Sequence, residues 1–298
     1  VGRPADLLEV VVSTRRRLDA EMVRRGLAAS RERARAEIEA GRVTVGGAPA
    51  VKAARLVGAG EAVVVHGPGP RYVSRAGEKL AGAVDRFDLA DVVSGARVLD
   101  AGASTGGFTD CVLQHGAKEV VAVDVGHNQL HERLRADPRV HNLERTNLRI
   151  LDPAVVGEPV DVAVGDLSFI SLRLVLDPIF AVVRPGGAYV LLVKPQFEAG
   201  RAEANRGRGV ISDPLVWRRV LDEVAGALID RGATIMGAMA SPLTGADGNV
   251  EFVVAGRAPG AGADASLAGR APVAGTALGE VLDAAVGEAV AAPAEGSG

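Results

Sequence analysis

The sequence predicts an α/β protein, a mostly parallel sheet covered by helices on both faces, with a small separate α+β unit in front of it. Three observations carry this expectation. Strand-like and helix-like apolar runs alternate over residues 97–255, as parallel strands joined by crossover helices require. Residues 98–109, Val-Leu-Asp-Ala-Gly-Ala-Ser-Thr-Gly-Gly-Phe-Thr, read as a strand, a glycine-rich turn and the start of a helix. The Pro/Gly-dense stretch His66-Gly67-Pro68-Gly69-Pro70 can continue neither element type and marks a boundary.

The chain has 298 residues, enough for about two domains, and its 48% hydrophobic content is ample for a core. Net charge is −3, unevenly divided: residues 1–66 hold 12 Arg and Lys against 8 Asp and Glu, leaving 22 against 29 elsewhere. A polyanion would dock on the basic end. The single cysteine, Cys111, excludes an internal disulfide and suits a reducing cytosol. With no signal segment and no bilayer-length apolar run, a soluble, cytoplasmic protein is expected.

In order, residues 1–14 are an N-terminal extension for which the sequence defines no fold. Leu18, Met22 and Val23 mark one face of a first helix that ends near Gly26; Ser30 caps a second, which runs through Ala34 and Ile38 to Gly41. Arg42 to Val51, with Gly46-Gly47 at its centre, reads as a hairpin, and Glu61 to His66 as a closing strand. Residues 67–73 form the linker. Lys79 then stands in a helix spaced by Leu80, Val84 and Phe87.

The turn after Asp100 tests negative for two nucleotide motifs. A dinucleotide G-x-G-x-x-G needs glycine where Ser104 stands, and a P-loop needs Gly-Lys-Ser/Thr. Glu119 to Val123 is a strand ending in Asp124, placed either to accept from ribose hydroxyls or to cap a helix. His127 and His131 have an i, i+4 spacing but no third ligand nearby, so no metal is expected. Val160 to Val164 delivers Gly165-Asp166-Leu167-Ser168-Phe169, and a helix over Leu172 to Val183 stops at Arg184-Pro185-Gly186-Gly187. Ala188 to Val193 delivers Lys194-Pro195-Gln196-Phe197, and Glu198 to Gly209 suits a mobile loop over a site. Asp213-Pro214 opens a helix, and Ala233–Met239 and Asn249–Val254 are the last strands, with Glu251 inside the second. Residues 256–298, rich in Ala and Gly, are expected to be a disordered tail.

Asp100-x-Gly102 followed by Ser104-Thr105-Gly106-Gly107-Phe108 resembles the first motif of S-adenosylmethionine (SAM) methyltransferases. The order Lys79, Asp166, Lys194, Glu251 resembles the tetrad of FtsJ-type RNA 2′-O-methyltransferases. Arg-Leu-Asp, Ala-Ser-Arg and Gly-Arg-Val-x-Val-x-Gly, over residues 15–66, resemble the small RNA-binding domain named after ribosomal protein S-four. Together they resemble the TlyA family, known both as haemolysins and as ribosomal-RNA methyltransferases, over residues 15–255. The chain departs from that pattern at Tyr72, where the family often has Trp, and in its tail.

The resemblance implies an RNA-binding domain over 15–66 and a Rossmann-like SAM methyltransferase domain with a seven-stranded sheet over 74–255. It places Asp100, Gly102, Ser104, Thr105, Gly106, Gly107 and Phe108 at the cofactor, Asp124 at its ribose and Asn147 near its adenine. Arg16, Arg17, Arg31, Arg33, Arg35, Arg42, Lys52 and Arg55 would lie near RNA phosphates, where each contact gains from counterion release. A ribose hydroxyl is a poor nucleophile, so an ammonium beside it favours the developing alkoxide; Lys194 takes that role. Asp166 would hold Lys194, while Lys79 and Glu251 orient the ribose. The expected partner is ribosomal RNA or a ribosomal subunit, with no obligate protein partner evident. The competing classes are a base methyltransferase, which would want an Asn/Asp-Pro-Pro-Tyr-type loop where Gly165-Asp166-Leu167-Ser168 stands, a membrane-active haemolysin, and a non-catalytic RNA-binding protein.

Overall fold

Two Gly residues in succession set the first turn of the chain's N-terminal unit. Gly46 and Gly47 both take positive φ (60° and 83°), the pairing that a tight two-residue hairpin demands. The computed structural model describes residues 15–292 apart from 29, 68, 201–202, 204–208, 246, 261 and 263–265, and also leaves the side chain of 32 undescribed. The expected extension over 1–14 and most of the expected loop over 198–209 lie outside the described residues.

The chain divides into two units, residues 1–69 and 70–298. In the first, β1 (Arg16–Arg17) leads into α1 (Leu18–Arg24), and α2 (Arg31–Glu39) follows. Ser30 caps α2 by accepting from the Arg33 amide at 3.1 Å. β2 (Val43–Val45) pairs antiparallel with β3 (Ala48–Pro49) and, on its other side, with β5 (Val63–Val65); β4 (Leu56–Val57) pairs with β1. Leu18, Met22, Ala34, Ile38, Val43, Val45 and Val57 form the core of this unit.

The second unit opens with α3 (Ala76–Phe87) and α4 (Ala90–Val93). Then come β6 (Arg97–Ala101), α5 (Gly107–Gln114), β7 (Glu119–Val123), α6 (Glu132–Arg135) and β8 (Val140–Leu143). After α7 (Pro153–Val156), β9 (Val160–Gly165), α8 (Leu176–Val182) and β10 (Val183–Val193) complete the parallel part. α9 (Pro195–Glu198), α10 (Pro214–Ile229), β11 (Thr234–Ala240), β12 (Phe252–Arg257) and α11 (Gly275–Ala291) finish the unit. The seven strands lie in the order β11-β12-β10-β9-β6-β7-β8, with β12 alone antiparallel to its neighbours. The mostly parallel seven-stranded sheet is therefore as expected, and an apolar layer covers each face.

Strand order reverses between β6 and β9, so the carboxyl ends of these two strands open the crevice where doubly wound sheets bind ligands. Asp100 lies at the end of β6, and Asp166 directly follows β9.

Three expectations need correction. Residues 256–298 are not a disordered tail throughout: α11 packs Leu282, Ala285 and Ala289 into the same core as α10. A stripe of mostly small residues was too weak a periodic signal to register, yet it lets the helix sit close to β11, where Glu288 accepts from the Ala240 amide at 3.1 Å. The single helix expected over 172–183 is a 3-10 turn (Leu172–Leu174) followed by α8, and the strand after it begins at Val183, with its register shifted around Arg184–Gly187. Glu251 sits one residue before β12 rather than inside it.

Candidate active site

The glycine turn between β6 and α5 is tied to the end of β7 by two amides, Gly102 and Ala103, that donate to the Val123 carbonyl at 2.8 and 3.1 Å. Gly102 has φ of 85°, and a Cβ there would stand 2.7 Å from the Asp166 carbonyl oxygen. Only glycine allows the two strand ends to approach this closely. Ser104 also lies in the left-handed region (φ 47°), and its amide donates to Asp124 Oδ2 at 2.8 Å. The other oxygen of Asp124 accepts from the Gly126 amide at 2.6 Å, so this acid fixes both turns. Ser104 and Thr105 are exposed on the turn, whereas Phe108 is buried in the core behind it.

Asp100 is fully buried. Its Oδ2 accepts from the Thr109 hydroxyl at 2.6 Å, and its Oδ1 has no hydrogen-bond partner. Burial pushes its carboxyl up to about 7 against the pull of the Thr109 bonds, with the nearby charges of Asp166 and Asp124 raising it further. Three carboxylates thus converge on one turn, and Asp100 Oδ1 and Asp166 Oδ1 both lack a hydrogen-bond donor. This donor set fits a cationic ligand such as SAM, which carries a sulfonium and an ammonium.

Beside the turn, four charged side chains alternate in sign. Lys79 Nζ on α3 lies 2.5 Å from Glu251 Oε2, and both side chains are buried. Lys194, one residue past β10 and 9% exposed, lies 4.0 Å from Glu251 Oε1 and 2.6 Å from Asp166 Oδ1. The contact with Asp166 is an ion pair without hydrogen-bond alignment; the aligned bond of Lys194 goes to Ser168 Oγ at 3.1 Å. Each lysine Nζ faces a carboxylate, the pairing that a buried charge requires. The Asp166 amide donates to the Ala101 carbonyl at 3.1 Å, tying this row to the strand that carries the turn.

The structure therefore brings together Lys79, Asp166, Lys194 and Glu251, with Asp100, Gly102 and Asp124 next to them. Asn147 stands apart in role: it is exposed and caps the 3-10 turn Leu148–Ile150, accepting from the Arg149 amide at 3.0 Å. Its expected place at an adenine has no support in these contacts. Ser168, Phe169 and Phe197 are functional candidates that were not assigned from sequence. Phe169 is 93% exposed, holds φ of 64° and pairs its ring with Phe197 at 5.3 Å. The signal for Ser168 and Phe169 was available, since both follow Asp166 at a strand end.

In the N-terminal unit, buried acids organise the predicted RNA-facing arginines. Asp19 is fully buried, and its Oδ2 holds Arg17 (3.1 Å), Arg31 (3.0 Å) and Arg35 (3.4 Å), whose side chains stay about half exposed. Arg17 first, then Arg31 and the Ala20 amide, hold the Asp19 carboxyl far below the usual carboxylate range against the opposing effect of burial. Glu37 holds Arg42 at 2.6 Å and Arg33 at 2.9 Å. Arg33 is the poorest RNA candidate, because its side chain is only 18% exposed. Arg16 and Lys52 are exposed, and Arg55 reaches the Val45 carbonyl at 3.5 Å.

Among the described residues no group of three or more His, Cys, Asp or Glu could hold a metal ion. His127 instead pairs with Glu144 at 2.7 Å, and His131 caps α6. No helix among the described residues is long and apolar enough to cross a membrane.

Comparison with known proteins matches residues 72–258 to the FtsJ-like methyltransferase model and residues 16–63 to the S4 domain model. The chain is 48% identical over 242 residues, 81% of its length and 89% of the relative's, to the 16S/23S rRNA (cytidine-2′-O)-methyltransferase TlyA of Mycobacterium tuberculosis. The chain belongs to the TlyA family of FtsJ-like methyltransferases. Another member, Hemolysin A of Brachyspira hyodysenteriae, is 40% identical over 80% of this chain and 98% of its own. A solved structure from Streptococcus thermophilus, described as a hemolysin, superposes with a TM-score of 0.70 at 36% identity, over 94% of this chain and 98% of that one. Both names the family carries thus recur among its members.

Proposed function

We propose that the chain is a SAM-dependent ribose 2′-O-methyltransferase acting on ribosomal RNA in the cytoplasm, with a ribosomal subunit as its partner. The observation that carries this reading is the alternating row of Lys79, Glu251, Lys194 and Asp166 beside the glycine turn. Residues 15–66 grip the RNA, residues 67–73 link, and residues from 74 onward hold the site.

SAM, when bound, supplies an electrophilic methyl group whose departure leaves a neutral thioether. Asp100, Gly102, Ser104, Thr105, Gly106, Gly107 and Asp124 are the residues that would hold it, with Phe108 supporting the turn from the core behind it and Asn147 the least supported of the expected set. Every other task falls to the row. Lys194, 9% exposed and with its Nζ already donating to Ser168, would place a positive charge beside the ribose oxygen as that oxygen bonds the methyl carbon, the carbon–sulfur bond breaks and the hydroxyl proton passes to solvent water. Asp166 fixes that ammonium at 2.6 Å, and Lys79 with Glu251 fixes the far side. The chemistry needs no metal, because the leaving group is not an anion.

The test is tritium transfer from labelled SAM to purified ribosomal subunits. Lys194→Ala should lower transfer by at least about 10²-fold, the scale of losing one charge-stabilising donor. Unchanged transfer would remove Lys194 from the mechanism. Haemolysis by the purified Lys194→Ala protein would instead favour the membrane reading.

A further inference from the structure

Glu198, the last residue of α9, is a carboxylate that the methyl-transfer chemistry does not use, and it is only 4% exposed. Burying a carboxylate costs several kcal/mol unless donors surround it. Here the donors all come from the other side of the site, 25 to 27 residues earlier in the chain. Ser171 Oγ donates to Oε2 at 2.6 Å, the Leu172 amide to Oε1 at 2.5 Å, and Arg173 Nε to Oε2 at 3.2 Å. Arg173 also donates to the Glu198 carbonyl at 3.1 Å.

These bonds join two short segments, each of which carries part of the site. Residues 166–171 run from the end of β9 to the clamp and include Asp166 and Ser168. Residues 194–198 run from the end of β10 to the same clamp and begin with Lys194, whose carbonyl accepts from the Phe197 amide at 2.9 Å. The first segment is held in an unfavourable shape: Phe169 has φ of 64°, a conformation that costs a non-glycine residue of order 1–3 kcal/mol. Strain of this kind persists only where the surroundings enforce it. The second segment meets the first through the ring pairing of Phe197 with Phe169 and the four bonds at Glu198.

We infer that Glu198 is a positioning residue: by clamping Ser171, Leu172 and Arg173 to the segment after Lys194, it sets the distances from Lys194 Nζ to Asp166 and Ser168. The inference rests on the reading of Lys194 as the group that favours the ribose alkoxide. It assigns Glu198 no contact with substrate or cofactor. Its effect passes through 2.6 and 3.1 Å contacts that a shift of either segment would lengthen.

The experiment compares wild type, Glu198→Gln, Ser171→Ala and Lys194→Ala in the full chain. It measures kcat and KM for ribosomal subunits, SAM affinity by calorimetry, and thermal melting. Glu198→Gln places an amide N–H₂ among donors and should lower kcat by roughly 10²-fold, the penalty for about 1 Å of misplacement. Ser171→Ala removes one of the four bonds and should lower kcat by about 10-fold, with melting lowered by no more than a few degrees and KM and SAM affinity within about twofold. If Glu198→Gln does not fold, Ser171→Ala decides alone. Wild-type kcat in Ser171→Ala, or a parallel loss of kcat, subunit affinity, SAM affinity and melting temperature, would overturn the inference. Transfer that persists in Lys194→Ala would overturn the underlying reading, whereas an inactive Lys194→Ala beside a normal Ser171→Ala overturns only the role of Glu198.

Discussion

Replacing Glu251 with Ala removes the carboxylate that lies between two ammonium groups, 2.5 Å from Lys79 and 4.0 Å from Lys194. Lys194 keeps Asp166 at 2.6 Å, so the damage falls on Lys79, whose side chain is 9% exposed. An uncompensated buried charge of this kind costs about 3–5 kcal/mol. For a unit of this size, that cost lowers the melting temperature by roughly 10 °C. Lys79→Met with Glu251→Leu removes both charges and leaves apolar side chains of similar volume. Because the desolvation cost of the pair vanishes with it, the double variant should melt within a few degrees of wild type while remaining inactive. Calorimetric scans of the single and double variants, with SAM absent, are the assay. A single variant that loses less than about 1 kcal/mol, or a double variant as unstable as the single, would refute the view that these two residues form a buried, mutually dependent pair.

Asp100 gives a pH test with a defined sign. Its folded carboxyl is raised to about 7 from 3.8, so between these values the folded state holds a proton that the unfolded state has lost. Its contribution therefore makes stability fall as pH rises from about 4 to about 7. Asp100→Asn should lack this decline, and the difference between the two melting curves against pH is the measurement; parallel curves would deny the raised value. In the N-terminal unit, Arg31→Ala should weaken RNA binding and reduce the salt slope by about 1, since the half-exposed guanidinium of Arg31 can meet a phosphate. Arg33→Ala, whose side chain is largely enclosed against Glu37, should lower thermal stability and leave the salt slope unchanged. Filter binding across a salt series separates the two.

The local chemistry of most elements was legible in the chain. Ser30 and Asp213 are the caps their sequences suggest, Gly46-Gly47 is the hairpin turn, and the strand ends at Asp100, Asp166 and Lys194 fall where the apolar runs stop. The N-terminal arginines could be named, but their ranking could not. Asp19 and Glu37 decide which guanidiniums are held and how far each remains exposed, and those acids are two to sixteen residues from the arginines they hold. The same limit hid α11, whose small apolar residues register only against the strand they cover.

Sequence by itself determined most element types and the parallel sheet, because periodicity, caps and strand ends are properties of neighbouring residues, while the four charged residues of the candidate row were named by their resemblance to the FtsJ-type tetrad. Only the tertiary structure decided which charge faces which. Lys79 and Glu251 are 172 residues apart in the chain and 2.5 Å apart in space, while Lys194 lies between both acids and donates its aligned bond to Ser168. The clamp at Glu198 and the unsatisfied oxygen of Asp100 belong to the same class. Each depends on how far separate segments exclude water around one charged group, and that distance is set by packing rather than by any local pattern.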